Sequence, residues 1–387
     1  MQACAYAKTC RDGSSAITPA HILHSAVRQE RRRYTDGLEH RLELTILRDG
    51  GKAVALARCG PNVAARWVSL DASLPQFKAF RQTLLDQLRG NAPLKKLDAE
   101  QIEKFGRDLF DLIVADNLRD LYSQLKPDDY VSWKILTDND DLGDIPWEFL
   151  QEPRTLSPRR TRCVVRVLQT VGLAPPEPLP RSGITRALLV SAEPVGLRNV
   201  GWQTIESRLR REYSSRLPLA LDIMEGADSV SLLQALASKP YDLVHFSCHG
   251  DATGKDGRLV LVNSKTKQPD YVKARDIASA LAGRGIRLVV LSACETSSQG
   301  SQTTSFSNIA ETLIRLGIPA VIANQASIAV PSMAVFVGAL YRELAQSGNI
   351  DKAMAEARLA LSIELKGSPE WGVPTLHRLY GGAQLYI

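Results

Sequence analysis

The chain has 387 residues, 44% of them hydrophobic and 23% charged, with a net charge of +6. That length fits two domains or one large sheet with insertions, and the composition excludes a disordered or fibrous chain. No run of 18 apolar residues occurs and Met1 to Arg11 lacks the basic start and apolar core of a secretory leader. A cytoplasmic protein with no membrane role is therefore expected, and the mild positive charge gives no reason for direct nucleic-acid contact.

Residues 1–39 read as an irregular polar extension with a short helix around Ile22 to Arg33. Its basic cluster, Arg28 to Arg33, reads as a solvated helix face. A front half, 40–172, opens with alternating Leu42 to Leu47, a Gly-containing turn and Ala53 to Ala57, which predicts a hairpin. Helical spacing follows at Phe77, Phe80, Leu84 and Leu88, and a longer helix is predicted from an N-cap at Asp98 to Leu125. Strands are expected at Tyr130 to Leu136 and Arg162 to Leu168. Residues 173–182, Leu-Ala-Pro-Pro-Glu-Pro-Leu-Pro-Arg-Ser, cannot join a central strand and read as an extended linker.

From 183 to 387 strands and helices alternate. Strands are predicted at 186–192, 219–223, 241–248, 286–293 and 319–324, with helices near 203–213, 229–238, 273–283, 306–316, 332–346 and 350–364. The insert Gly257 to Asp270 is expected to hold a short strand pair. This alternation predicts an α/β fold with a mainly parallel sheet flanked by helices.

Two of these strands carry the chemistry. Tyr241 to Cys248 is followed by His249-Gly250, and Arg287 to Ala293 by Cys294-Glu295-Thr296. Buried parallel strands read as apolar runs, and ligands bind off their carboxyl ends. A thiol titrates near ~8.5 and an imidazole near ~6.5, so the imidazole can take the thiol proton as sulfur attacks a carbonyl. Gly250 permits close backbone approach, and its N–H, with that of Cys294 at a strand end, is suited to a developing oxyanion.

These stretches resemble the CHAT family of caspase-like cysteine peptidases, relatives of separases and caspases. The resemblance rests on His-Phe-Ser-Cys-His-Gly at 245–250 and Leu-Ser-Ala-Cys-Glu-Thr at 291–296. It continues at Gly317 to Ala323, Phe336 to Leu344, Ala353 to Leu361 and Trp371 to Pro374, and reaches forward to Leu142 to Leu150, which is similar to a Pro-Trp-Glu-Leu signature. It implies His249 as base, Cys294 as nucleophile, and the N–H groups of Gly250 and Cys294 as oxyanion hole. It further implies a degenerate caspase-like front half and a catalytic domain at 183–387. The activity implied is cleavage of a specific protein partner in prokaryotic defence or regulated cell death. A gasdermin-like or operon-encoded protein would be the substrate, a separate activator or sensor protein the trigger, and no cofactor or metal is required.

Other readings compete at particular residues. Asp251, Asp256 and Glu295 would hold a basic substrate side chain, or else are loop carboxylates facing water. Ser292 stands where some caspase relatives carry an Asp, two positions before the Cys, which speaks against strict basic specificity. His245 lies roughly 13 Å back along the strand from His249 and reads as a hydrogen-bonded core histidine. Cys248 should face the opposite side, and Cys59 and Cys163 read as core residues. Trp147 and Trp371 read as packing residues. Ser297 to Thr304 is either a gating loop or a connector. For the chain as a whole the alternative is a CHAT-like protein-interaction module without catalysis.

Overall fold

The computed structural model describes residues 42–49, 52–88, 97–126, 128–136, 140–152, 158–159, 161–168, 177, 185–213, 219–251, 257–292, 294–295, 307–379 and 383–385. The expected N-terminal helix, the linker apart from Glu177, Asp256 and the segment Ser297 to Thr304 lie outside the described residues.

Fifteen strands are described. In the front half these are β1 (Leu42–Asp49), β2 (Lys52–Cys59), β3 (Asn62–Val68), β4 (Val131–Leu136) and β5 (Arg162–Leu168). The back half holds β6 (Thr185–Ser191), β7 (Leu219–Met224), β8 (Leu243–Ser247), β9 (His249–Asp251), β10 (Arg258–Val262), β11 (Pro269–Lys273), β12 (Leu288–Leu291), β13 (Cys294–Glu295), β14 (Ala320–Asn324) and β15 (Pro374–Leu379). Eleven of them form one sheet in the order β3-β2-β1-β4-β5-β15-β14-β12-β8-β6-β7, and four form a second, β11-β10-β9-β13. In the large sheet only the β1–β2–β3 meander and the β14–β15 pair are antiparallel, so the mainly parallel α/β expectation is met.

The predicted helices from 202 onward appear with bounds shifted by two residues or fewer. The long helix predicted from Asp98 does not. Its start is as read: Asp98 accepts from Gln101 N–H at 2.8 Å while Gln101 accepts from Asp98 N–H at 3.1 Å, a reciprocal cap. It stops at Ile113, and a second helix, Asp116–Ser123, follows. The reason is tertiary. Arg66 of β3, a strand absent from the sequence reading, donates to the Leu112 carbonyl at 2.6 Å and to that of Ile113 at 3.3 Å. The chain then turns at Asp116 with φ 50°, a conformation that Asp tolerates better than most residues.

Strand β15 is also absent from the sequence reading, and it joins the halves by pairing with β5 on one side and β14 on the other. Its Thr375, His377 and Arg378 disguise it, for all are buried. Each finds an internal partner, as buried polar groups require. Thr375 donates to the Ala323 carbonyl at 2.8 Å, His377 Nε2 meets Thr375 Oγ1 at 3.0 Å, and Arg378 grips Asp351 with two bonds of 2.9 Å.

The Pro146-Trp147-Glu148 segment lies beside this seam. Trp147 is fully buried and donates to the Leu142 carbonyl at 2.7 Å, while Trp371 packs against Phe149 with ring centres 4.9 Å apart and planes tilted by 55°, so both tryptophans serve packing. Glu148 takes two bonds from Arg166 of β5, at 3.0 and 2.9 Å, and one from Gln325 at 3.1 Å, with Arg358 3.9 Å away. Burial pushes this carboxyl up, but the Arg166 and Arg358 charges outweigh that and hold it below the usual range. Gly372 approaches Phe149 so closely that a Cβ would lie 2.3 Å from the ring.

Alternate residues of the central strands feed two cores. Leu243, Leu288, Val290 and Ile322 belong to one that spans both halves, and Val244, Phe246, Leu291 and Val321 to another. Cys163 lies in the first core, Cys248 in the second, and Cys59 packs half-buried against the first.

Replacing Glu148 by Gln should lower unfolding free energy by about 3–5 kcal/mol, because two buried guanidiniums lose their counter-charge; chemical denaturation of both chains measures it. A second expectation concerns pH. Burial lowers the titration of His245 to about 3 and that of His377 well below normal, so both are neutral when folded. The unfolded chain therefore binds more protons below about pH 6.5, and stability falls as pH drops. Between about pH 6 and 5 each histidine should contribute a slope of about 1.2 kcal/mol per unit. Denaturation midpoints that stay level over that interval would contradict this.

Candidate active site

The two apolar runs singled out in the sequence lie side by side as β8 and β12. They do not simply end at the reactive residues, as the sequence suggested. Each leaves the large sheet, and the chains pair again as β9 and β13 in the small one. Leu288 pairs with Leu243 before the break and Cys294 with His249 after it, an offset of 45 residue numbers both times. Ser292 N–H donates to the Phe246 carbonyl at 2.9 Å, just past the end of β12. The register laid down by apolar packing thus carries through to the pairing of Cys294 with His249.

His249 is 4% exposed. Its Nε2 lies 2.5 Å from the Arg198 carbonyl, and its Nδ1 is buried with no partner among the described residues. A carbonyl only accepts, so Nε2 carries the ring proton and Nδ1 keeps a lone pair. Arg198 was missed in the sequence because a main-chain oxygen has no residue signature. Its loop follows β6 and is fastened on two sides. Val195 N–H donates to the Lys267 carbonyl in the β10–β11 turn at 2.9 Å, and Val200 N–H donates to Glu193 Oε1 at 3.1 Å. Gly196 supplies the positive φ of 91° that the turn needs.

Gly250 is buried in β9, opposite Leu259 of β10 and Glu295 of β13. Of the three carboxylates considered for substrate, Asp251 is ion-paired with Arg258, whose guanidinium also lies 5.0 Å from the Tyr271 ring centre. Glu295 is described through its backbone register with Gly250, and Cys294 likewise through its register with His249. Asp256 is not among the described residues.

His245 is the core histidine expected. It sits between Ser292 Oγ, 2.5 Å from Nε2, and Tyr341 Oη, 2.9 Å from Nδ1. Ser292 is thereby engaged inside the protein, at 6% exposure. Among the described residues no helix is long and apolar enough to cross a membrane.

A family model described as CHAT domain matches residues 103–369. No curated protein matches the chain. Among solved structures, the chain is similar to the Saccharomyces cerevisiae separase–securin complex, with TM-score 0.46 and 10% identity over 92% of this chain and 31% of that one. It is also similar to caspase-1 from Spodoptera frugiperda, with TM-score 0.31 and 15% identity over 51% of this chain and 90% of that one. The chain spans about a third of the length of the separase chain it matches.

Replacing Glu193 by Ala should loosen the loop that orients His249. Losing one hydrogen bond of ~1 kcal/mol corresponds to about fivefold faster tryptic cutting after the exposed Arg198. Timed digestion followed by mass spectrometry reads it, and an unchanged rate would show that the Val200 contact does not hold the loop.

Proposed function

The chain belongs to the CHAT domain family, and from that premise we propose that it is a cysteine endopeptidase acting on a protein partner through Cys294 and His249. The observation that carries this reading is the cross-strand pairing of Cys294 with His249, combined with an imidazole whose Nε2 is fixed on the Arg198 carbonyl and whose Nδ1 has no partner among the described residues.

In this mechanism His249 Nδ1 takes the proton of the Cys294 thiol as sulfur attacks the scissile carbonyl carbon. The N–H groups of Gly250 and Cys294 stabilise the oxyanion. The carbon–nitrogen bond then breaks, and the imidazolium returns its proton to the departing amine. Water, deprotonated by the same imidazole, hydrolyses the thioester and restores the thiol. The Arg198 carbonyl is a stronger acceptor for an imidazolium than for a neutral ring, so it supports the charged form that exists mid-reaction. No carboxylate is needed as a third member.

Family membership supports the wider reading: a cytoplasmic protease of prokaryotic defence or regulated cell death, switched on by a separate activator or sensor. Its substrate would be gasdermin-like or encoded in the same operon. The Asp251–Arg258 pair supports a site whose preference is not set by Asp251.

Incubation with proteins encoded by neighbouring genes tests the proposal. Cleavage at one site is expected, reduced by about 10³-fold or more in Cys294→Ala and in His249→Asn. Equal processing by wild type and Cys294→Ala would end the peptidase reading and leave the interaction-module alternative.

A further inference from the structure

Beneath the Cys294–His249 pair lies a second, wholly internal set of polar groups. His245 precedes His249 by four residues on one of the paired strands, and Ser292 precedes Cys294 by two on the other. Their side chains meet at 2.5 Å across the seam between β8 and β12, just where both strands leave the large sheet. From the far side Tyr341, on the helix Val330–Ser347, reaches the other ring nitrogen at 2.9 Å, with its ring edge-on to the imidazole at 6.0 Å. All three residues are buried. Apolar side chains would fill this volume at lower cost, since burying polar groups gains little net stability even when they are paired.

We infer that Tyr341, His245 and Ser292 form a positioning chain that sets the approach of residue 294 to His249. The inference rests on the peptidase reading above. Only one residue separates Ser292, bonded to the Phe246 carbonyl of the large sheet, from Cys294, paired with His249 in the small one. Any rotation of the Ser292 backbone is therefore passed on to residue 294. The His245 bond fixes that rotation, and Tyr341 fixes His245. A neutral imidazole has one donor and one acceptor, while each hydroxyl can do either, so the chain has only two proton arrangements: both donors point toward Ser292 or both toward Tyr341. Either one locks the ring at both nitrogens. None of the three residues touches substrate; they act through the strand that carries the thiol.

The test reads the thiol itself and needs no substrate. Intact protein is alkylated with iodoacetamide from about pH 5 to 9, a range spanning imidazole and thiol titration, and modification of the Cys294 peptide is followed by mass spectrometry. Ser292→Ala and Tyr341→Phe are each expected to slow alkylation near neutral pH by about tenfold or more, the scale of a sub-ångström to 1 Å misplacement. Both profiles should approach that of His249→Asn. Ser292→Thr, which keeps the hydroxyl, should restore the wild-type profile. Thermal melting run in parallel separates a purely structural role, which would lower the midpoint while leaving the profile of the folded chain unchanged, and that result would overturn the inference. A His249→Asn chain that alkylates like wild type would sink the dyad and this inference together. A shifted His249→Asn profile with unshifted Ser292→Ala and Tyr341→Phe profiles would sink the inference alone.

Discussion

A carboxylate withdrawn from water must be surrounded by opposite charge, and Glu148 meets that demand only when four parts of the chain converge. Arg166 arrives on β5, Arg358 on the helix Ile350–Glu364, Gln325 from the end of β14, and Glu148 itself on the short turn Trp147–Phe149. Arg166 also donates to the Gly143 and Ile145 carbonyls, and Arg358 to that of Pro374. The charges therefore hold backbone as well as one another. Such a cluster adds little net stability over an apolar filling, but it rejects any arrangement in which one member is displaced. It is a device for uniqueness at the seam between the two halves.

From that seam the ordering passes laterally. Gln325 follows β14, β14 pairs with β12, and β12 with β8, so the strands that lead to residues 249 and 294 inherit their height in the sheet from a fixed neighbour. Apolar residues such as Val244, Phe246, Val289 and Leu291 then lock the register, because a one-residue slip would turn each of them out of its core. Reactive groups at the end of this series are placed by packing that occurs well away from them.

Much of this was legible in the sequence because the elements concerned are locally consistent. Asp98 with Gln101 announces a helix start, and the apolar runs at 243–247 and 288–291 announce buried strands. The failures share a cause. Strand β3 has the indistinct run Asn-Val-Ala-Ala-Arg-Trp-Val, and its Arg66 ends a helix more than forty residues away, an effect no local pattern encodes. Strand β15 looks too polar to be central until Asp351 and the Ala323 carbonyl are brought beside it. The position of His249 was readable, whereas its orienting partner was not, because the Arg198 oxygen belongs to every residue type alike. Asp251 looked available as a ligand for basic substrates only because the sequence does not show Arg258, seven residues on, pairing back beside it across β9 and β10.

The place of β15 in chain order bears on how the molecule comes into being. It is the last of the described strands to leave the ribosome, yet it lies between β5 and β14 in the interior of the sheet. Until it emerges, a nascent chain presents two bare strand flanks, each an invitation to mispairing with other polypeptides. Closure needs contacts between segments made far apart in time, and such long-range pairing is slow. A stapling step thus follows the synthesis of the other described strands, and before it β8 and β12, which lead to His249 and Cys294, lie in a sheet whose lateral support is incomplete.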